Sequence, residues 1–247
     1  MSERYWQRPA LATTALATTA LALLGAATVA GCGNSASTSR ASATQTAGVA
    51  ADTGHKSFTA AQLKSALLIK VGGARPAAPA EAGAYGTLPD VRTSKQTMHG
   101  VKVTPPRCAQ ATVTGFNSAA FVHAPASVVT FRVGSNGVSE VLVSTPPKVA
   151  TTALGDKLPA GCAHYTATVN GKTFHYSVKE TAFSGLAHQA RALNVKAAGY
   201  AVVDVWSVVY RGDGFVGAIT IVGPDASEAG AKNLARQAYA YAAQSLS

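Results

Sequence analysis

The sequence lacks the short motifs that usually reveal an enzyme or a metal site. Its six histidines never reach the spacing of an HxxxH or HExxH motif, and its three cysteines form no CxxC pair. It has neither a GxSxG nucleophile elbow nor a Walker loop for phosphate. We therefore expect no enzyme activity, no cofactor and no metal, although a hydrolase triad assembled in space from distant residues stays open.

Charged and aromatic residues are also scarce, at 13% and 7% of the 247 residues. This composition excludes collagen-like, coiled-coil and highly charged disordered chains. Three cysteines are too few for a small domain built on disulfides. What the sequence does have is a basic excess, with 21 lysines and arginines against 11 acidic residues. Eight basic residues and only two acidic ones lie between Lys56 and Arg107.

That basic segment contains two aromatic residues, Phe58 and Tyr85, which are too few for the base stacking that single-stranded nucleic acid requires. We expect no nucleic-acid partner. Solubility alone explains the charge, and attraction to anionic lipid headgroups or wall polymers is the alternative. The residues of this candidate basic surface are Lys64, Lys70, Arg75, Arg92 and Lys95.

The first 31 residues have the order of a secretory signal. Arg4 and Arg8 precede an apolar stretch from Leu11 to Ala30, which is followed by Gly31 and Cys32. The run Val-Ala-Gly-Cys resembles a bacterial lipobox, which implies cleavage before Cys32 and a diacylglyceryl group on its thiol. The alternative is a signal anchor that stays in the membrane, because about 20 apolar residues can span a bilayer.

The predicted organisation is therefore a signal peptide at 1–31, a lipid-anchored tether at 32–56 and one domain at 57–247. The tether is rich in Ser, Thr, Ala and Gly and has no apolar period, so we expect it to be disordered. Two acyl chains suffice for stable anchoring. These features predict a monomeric protein at the outer face of the cell membrane.

The domain pattern indicates an α+β fold with a mainly antiparallel central sheet, and with N-terminal and C-terminal helices packed on it. Thr59 and Gln62 form a capping box for the first helix, and Asp225 with Glu228 predicts the start of the last. Residues 74–104 are interrupted by Pro and Gly and predict a long surface segment, with weak strand character only at 97–103. Residues 186–197 suit helix and strand about equally, and we favour strand.

A β-hairpin is predicted around Asn170-Gly171, a two-residue turn that favours strands on either side. Its register pairs Tyr165 with Tyr176 on an apolar face, and it pairs Thr166 with His175 and His164 with Ser177 on a polar face. The polar face continues to Lys179. These residues, together with Asp204 in the apolar strand at 201–210, form the candidate ligand cleft: His164, Thr166, His175, Ser177, Lys179 and Asp204. A solvated sheet face, and an ion pair for Asp204, are the structural alternatives.

Two cysteines remain once Cys32 is lipidated, and a pair outside the cytoplasm is most simply a disulfide. The prediction is a Cys108–Cys162 bridge, with two free thiols as the alternative.

These cysteines also carry a resemblance to a family. The segments Pro-Pro-Arg-Cys108-Ala and Leu-Pro-Ala-Gly-Cys162, the Asn-Gly hairpin, the Gly-Asp-Gly turn and the closing Ala-rich helix resemble the extracellular sensor domain of PknH-type mycobacterial serine/threonine kinases. This domain also occurs in actinobacterial lipoproteins. The resemblance implies an α+β fold around an antiparallel sheet, a cleft for an unidentified ligand and no catalytic activity. Family members usually have two disulfides and a Trp before the second bridging cysteine, whereas this chain can form one disulfide and has Ala160-Gly161 there.

The functional expectation is thus a non-catalytic lipoprotein whose domain binds a small envelope or extracellular ligand. The alternative is an interaction module that binds a wall polymer or a membrane-protein partner through the basic surface. A third hypothesis, lipid carriage, would require a large apolar cavity.

Overall fold

The computed structural model describes residues 55–111, 116, 118–155, 157–186, 189–199 and 202–247. The predicted signal peptide, Cys32 and most of the predicted tether lie outside these residues. The described part contains four α-helices and nine β-strands. The helices are α1 (Ala60–Ser65), α2 (Pro89–His99), α3 (Pro147–Gly155) and α4 (Glu228–Ser245). The strands are β1 (Glu81–Ala84), β2 (Lys102–Thr104), β3 (Pro125–Val133), β4 (Asn136–Ser144), β5 (His164–Val169), β6 (Lys172–Ala182), β7 (Gln189–Ala198), β8 (Val203–Arg211) and β9 (Phe215–Val222).

All nine strands join in one sheet with the order β1-β3-β4-β9-β8-β7-β6-β5-β2, and every neighbouring pair is antiparallel. Because side chains alternate along each strand, the sheet has two faces with separate cores. The first core includes Val208 and Ile219 from the sheet together with buried residues of α1 and α4. The second core, on the other face, includes Val209 and Ala218 with buried residues of α2 and α3. The predicted antiparallel sheet is confirmed.

A disulfide between Cys108 and Cys162 anchors a third, smaller core. Both cysteines are fully buried and contact one face of strands β5, β6 and β7. Tyr165 and Tyr176 stack there with ring centroids 5.0 Å apart. The predicted bridge is confirmed.

Local sequence signals explain several element boundaries. Thr59 caps α1, its side chain accepting from the Gln62 N–H while the Gln62 side chain accepts from the Thr59 N–H, as the capping box predicts. Asn170 and Gly171 both have positive φ, at 49° and 75°, which is the conformation of a two-residue hairpin turn. Strand β7 confirms the preference for strand over residues 189–197, and residues 187–188 lie outside the described part of the chain.

Three expectations need correction. The segment 74–104 is mostly exposed, as predicted for a surface segment, but it also contains more regular structure than predicted: β1, β2 and the 11-residue helix α2. Residues 97–99, predicted as weak strand, belong to α2. Helix α4 is capped by Ser227, whose hydroxyl accepts from the Gly230 N–H, whereas Asp225 accepts from the Ser135 hydroxyl at 2.6 Å.

Gly217 allows the ring of Tyr210 to lie against the sheet. The two residues are cross-strand partners on β9 and β8, and a Cβ at Gly217 would lie well inside van der Waals contact with the Tyr210 ring. We expect Gly217→Ala to lower the free energy of unfolding by about 2 kcal/mol through overpacking, measured by urea denaturation. Gly137→Ala on β4 is the matched control, because its Cβ would meet only the Val222 carbonyl at 4.0 Å. Equal effects of the two substitutions would refute this explanation.

Candidate functional site

The predicted polar hairpin face is formed by strands β5 and β6 with the expected register. His164 lies opposite Ser177, and Thr166 lies opposite His175. The other face of the same hairpin carries the buried residues Tyr165 and Val178, which pack on the disulfide core. The hairpin thus buries one face, whereas His164 and His175 on its polar face are exposed, as the alternation predicts.

Strands β7 and β8 extend this face beyond the hairpin. Ser177 pairs with Lys196 on β7, and Lys196 pairs with Asp204 on β8. Paired residues on one face have Cβ atoms about 5 Å apart. His164, Ser177, Lys196 and Asp204 therefore form one continuous polar row across four strands. We call this row, together with the neighbouring Thr166, His175, Lys179 and Asn194, the polar face.

The polar face borders the first core. Lys179 pairs with Asn194, and Asn194 pairs with the buried Trp206. On the side of Trp206 that faces the centre of the sheet, this face packs in the first core. On the side that faces β5, His164, His175 and Lys179 are exposed. All six residues of the predicted cleft consequently lie on one face of the sheet.

Asp204 is held by two partners that sequence reasoning missed. Its carboxylate accepts from the Asn194 side-chain amide at 2.5 Å and pairs with Lys196 Nζ at 3.3 Å. The same Asn194 amide donates to the Val205 carbonyl at 3.1 Å, which fixes its orientation. The sequence predicted an ion pair as one alternative for Asp204, and Lys196 is that partner. The signal that was overlooked is the pair Asn194 and Lys196, two polar residues at alternate positions of the apolar strand β7.

A cavity of about 290 Å³ lies elsewhere in the described structure, and none of the predicted cleft residues borders it. It lies between the turn at Val71-Gly72, the β3–β4 hairpin and the first turns of α4. Asp225, Asn136 and Gln237 supply polar groups at this cavity. The six cleft residues thus form an open face, and the cavity is a separate feature.

The predicted basic surface is divided between the two sides of the sheet. Lys64 lies in α1, and Lys70 and Arg75 follow it, next to the first core. Arg92 and Lys95 lie in α2, whose buried residue Val91 packs in the second core. All five side chains are exposed. The fold therefore separates them into two groups.

The largest perturbation of an acidic pKa lies in the first core. Glu140 is fully buried on β4, and its Oε2 accepts from the Leu68 N–H at 2.8 Å. Burial raises the pKa of Glu140 to about 7, although the hydrogen bond from Leu68 opposes that rise. Burial also raises the pKa of the Tyr210 hydroxyl, and the negative charge of Glu140 adds to this effect. Within the part of the chain that the structure describes, Glu140 Oε1 and the Tyr210 hydroxyl have no hydrogen-bond partner.

Metal-ligating groups do not gather in the described part of the chain, where no three His, Cys, Asp or Glu residues lie close enough to hold an ion. Within the same residues, no helix is both long enough and apolar enough to cross a membrane.

The fold is similar to that of a known extracellular domain. The crystal structure of the extracellular domain of PknH from Mycobacterium tuberculosis matches with a TM-score of 0.54 and 14% sequence identity, over 78% of this chain and 98% of that chain. A second match is the X-ray structure of an uncharacterized protein (Rv0999 ortholog) from Mycobacterium smegmatis, with a TM-score of 0.39 and 15% identity, over 60% of this chain and 76% of that one. No family model and no curated protein sequence matches the chain. The resemblance to the PknH-type domain is therefore confirmed at the level of the fold.

Proposed function

We propose that this chain is a lipid-anchored extracytoplasmic protein whose domain binds a small ligand and does not catalyse a reaction. The observation that carries the binding proposal is the polar row of His164, Ser177, Lys196 and Asp204, of which His164 and Lys196 are exposed and the other two are partly exposed. Hydrogen-bonding groups from four strands converge there, while the opposite face of the same strands is packed. A rigid sheet positions such groups better than a loop does.

Three features support the extracytoplasmic location. The N-terminal signal ends in a lipobox-like sequence at Cys32. The Cys108–Cys162 disulfide is of the kind that persists in oxidising compartments. The similar fold of the PknH extracellular domain is consistent with both.

The environment of Asp204 supports binding without catalysis. In a Ser-His-Asp arrangement the carboxylate orients the imidazole that serves as the base. Asp204 instead contacts Asn194 and Lys196. The two imidazoles of the polar face, His164 and His175, therefore have no orienting contact to this carboxylate.

The alternative of a wall-polymer or protein-binding module is less well supported. It requires one continuous basic surface, whereas Lys64, Lys70 and Arg75 lie in or after α1 beside the first core, and Arg92 and Lys95 lie in α2 beside the second.

Two measurements test the proposal. The intact mass of the protein purified from membranes should correspond to a chain that begins at a diacylglyceryl-modified Cys32, and a retained Met1 or an unmodified Cys32 thiol would refute the anchor. Native mass spectrometry of the same material should show a co-purified small molecule. Absence of any adduct in repeated preparations, together with salt-sensitive binding to cell-wall material, would favour the interaction module.

A further inference from the structure

We infer that the ligand of the polar face is a small soluble molecule that carries a tetrahedral oxyanion, such as a phosphate monoester, and that this group sits over Ser177. This inference rests on the proposed function, because it specifies what the same face binds.

Ser177 is the centre of a ring of nitrogen-bearing side chains. His164 and Lys196 flank it on the adjacent strands β5 and β7. His175 and Lys179 lie two positions away along β6, on the same face and about 7 Å distant. Two imidazole and two ammonium groups thus lie around the Ser177 hydroxyl on this face. A tetrahedral oxyanion, whose oxygens point in several directions, uses such an arrangement better than a planar carboxylate does.

The charge around Ser177 is positive. Lys179 and Lys196 face it, and Asp204 is the acidic residue of the polar face, one strand beyond Lys196. The neighbouring carboxylate of Glu180 belongs to the opposite face, where it accepts from the Leu158 N–H and pairs with Arg191. The surplus of lysine over aspartate favours an anion at this point.

Asp204 and Asn194 also keep Lys196 in place. The Lys196–Asp204 distance of 3.3 Å and the hydrogen bond from Asn194 to Asp204 link the three side chains. A positioned ammonium loses less entropy when a ligand binds than a mobile one does. Two lysines are too few to hold the face on an anionic membrane, because each contributes only about 1 kcal/mol near such a surface, which is why we assign a small soluble anion.

The test is isothermal titration calorimetry of the detergent-solubilised mature protein with inorganic phosphate at low ionic strength. We expect millimolar binding that weakens as salt is added, because the face is exposed. Lys179→Gln should weaken binding roughly fivefold, the effect of one charge contact near a surface. Lys148→Gln is the matched control, since Lys148 is exposed on α3, which packs on the other side of the sheet. No phosphate binding, or equal loss in both variants, would overturn the inference.

Two further results distinguish a soluble anion from a lipid headgroup. They also distinguish failure of the oxyanion inference from failure of the proposed function. Short-chain phosphatidylglycerol below its micelle concentration should bind more weakly than phosphate; tighter binding that depends on Lys179 would replace the soluble anion with a lipid headgroup. If native mass spectra show a neutral ligand that is lost in Lys179→Gln while phosphate never binds, the oxyanion inference fails and the proposed function stands. If neither a co-purified ligand nor phosphate binds, both fail.

Discussion

Replacing both Cys108 and Cys162 with alanine is expected to lower the free energy of unfolding by roughly 4 kcal/mol. The bridge closes a loop with a sequence separation of 54, and the chain-entropy model gives about that value for a loop of this length. The disulfide also supports the face opposite the polar one, because Tyr165, Val178 and Leu193 pack around it. Urea denaturation of the double variant against the oxidised wild type measures the loss.

The reduced wild-type protein is the control for this prediction. It retains both sulfur atoms in the buried core, so it should lose the entropic part of the stabilisation with little loss of packing. If the oxidised, reduced and doubly substituted proteins unfold at the same urea concentration, the disulfide contributes nothing to stability and its assigned structural role is wrong.

The second large effect concerns the pH dependence of stability. The pKa of Glu140 is about 7 in the folded protein against a reference of 4.5, so the folded state binds the proton more tightly than the unfolded chain. The contribution of Glu140 to stability is therefore greatest below about pH 4.5, falls as the pH rises towards 7 and is lost above it. A shift of this size corresponds to about 3 kcal/mol. Glu140→Gln removes the ionisation, so at pH 8 the variant should be more stable than the wild type by up to that amount.

The difference between wild type and Glu140→Gln, measured by denaturation from pH 4 to pH 8, isolates this group from all others that titrate. Glu228→Gln makes the same chemical change in the first turn of α4, where the carboxylate pairs with Lys232 at 2.6 Å. That control should gain no stability at pH 8, because it loses an ion pair. If the difference in the free energy of unfolding between the wild type and Glu140→Gln stays constant from pH 4 to pH 8, the assigned burial of Glu140 is wrong.

The sequence predicted those parts of the fold that local chemistry determines. Asn170-Gly171 defines the β5–β6 register because a two-residue turn leaves one way of pairing the flanking strands. The polar face follows from that register and from alternation. The capping box at Thr59 and Gln62 locates the start of α1 for the same reason, since both signals involve neighbouring residues.

Other parts depend on contacts between distant residues. Helix α2 has few apolar residues, of which only Val91 is buried, so the apolar pattern in its sequence is too sparse to identify it. The apolar run from Leu67 to Ile69 suggests in the sequence that α1 continues, yet the helix ends at Ser65 and Ile69 is 67% exposed. Asn194 and Lys196 could not be assigned to the polar face from the sequence, because that requires knowing that β7 pairs with β6. Strand pairing of this kind depends on the whole fold rather than on neighbouring residues.

The most direct test of the binding proposal compares native mass spectra of the wild type, His175→Gln/Lys179→Gln and Lys148→Gln, each purified from membranes in the same way. The two changes in the first variant affect exposed side chains of the polar face, and the third protein carries a lysine change on the other side of the sheet. The account predicts a small-molecule adduct on the wild type and on Lys148→Gln that is reduced or absent on His175→Gln/Lys179→Gln. An adduct retained equally by all three proteins would contradict the assignment of the ligand to the polar face.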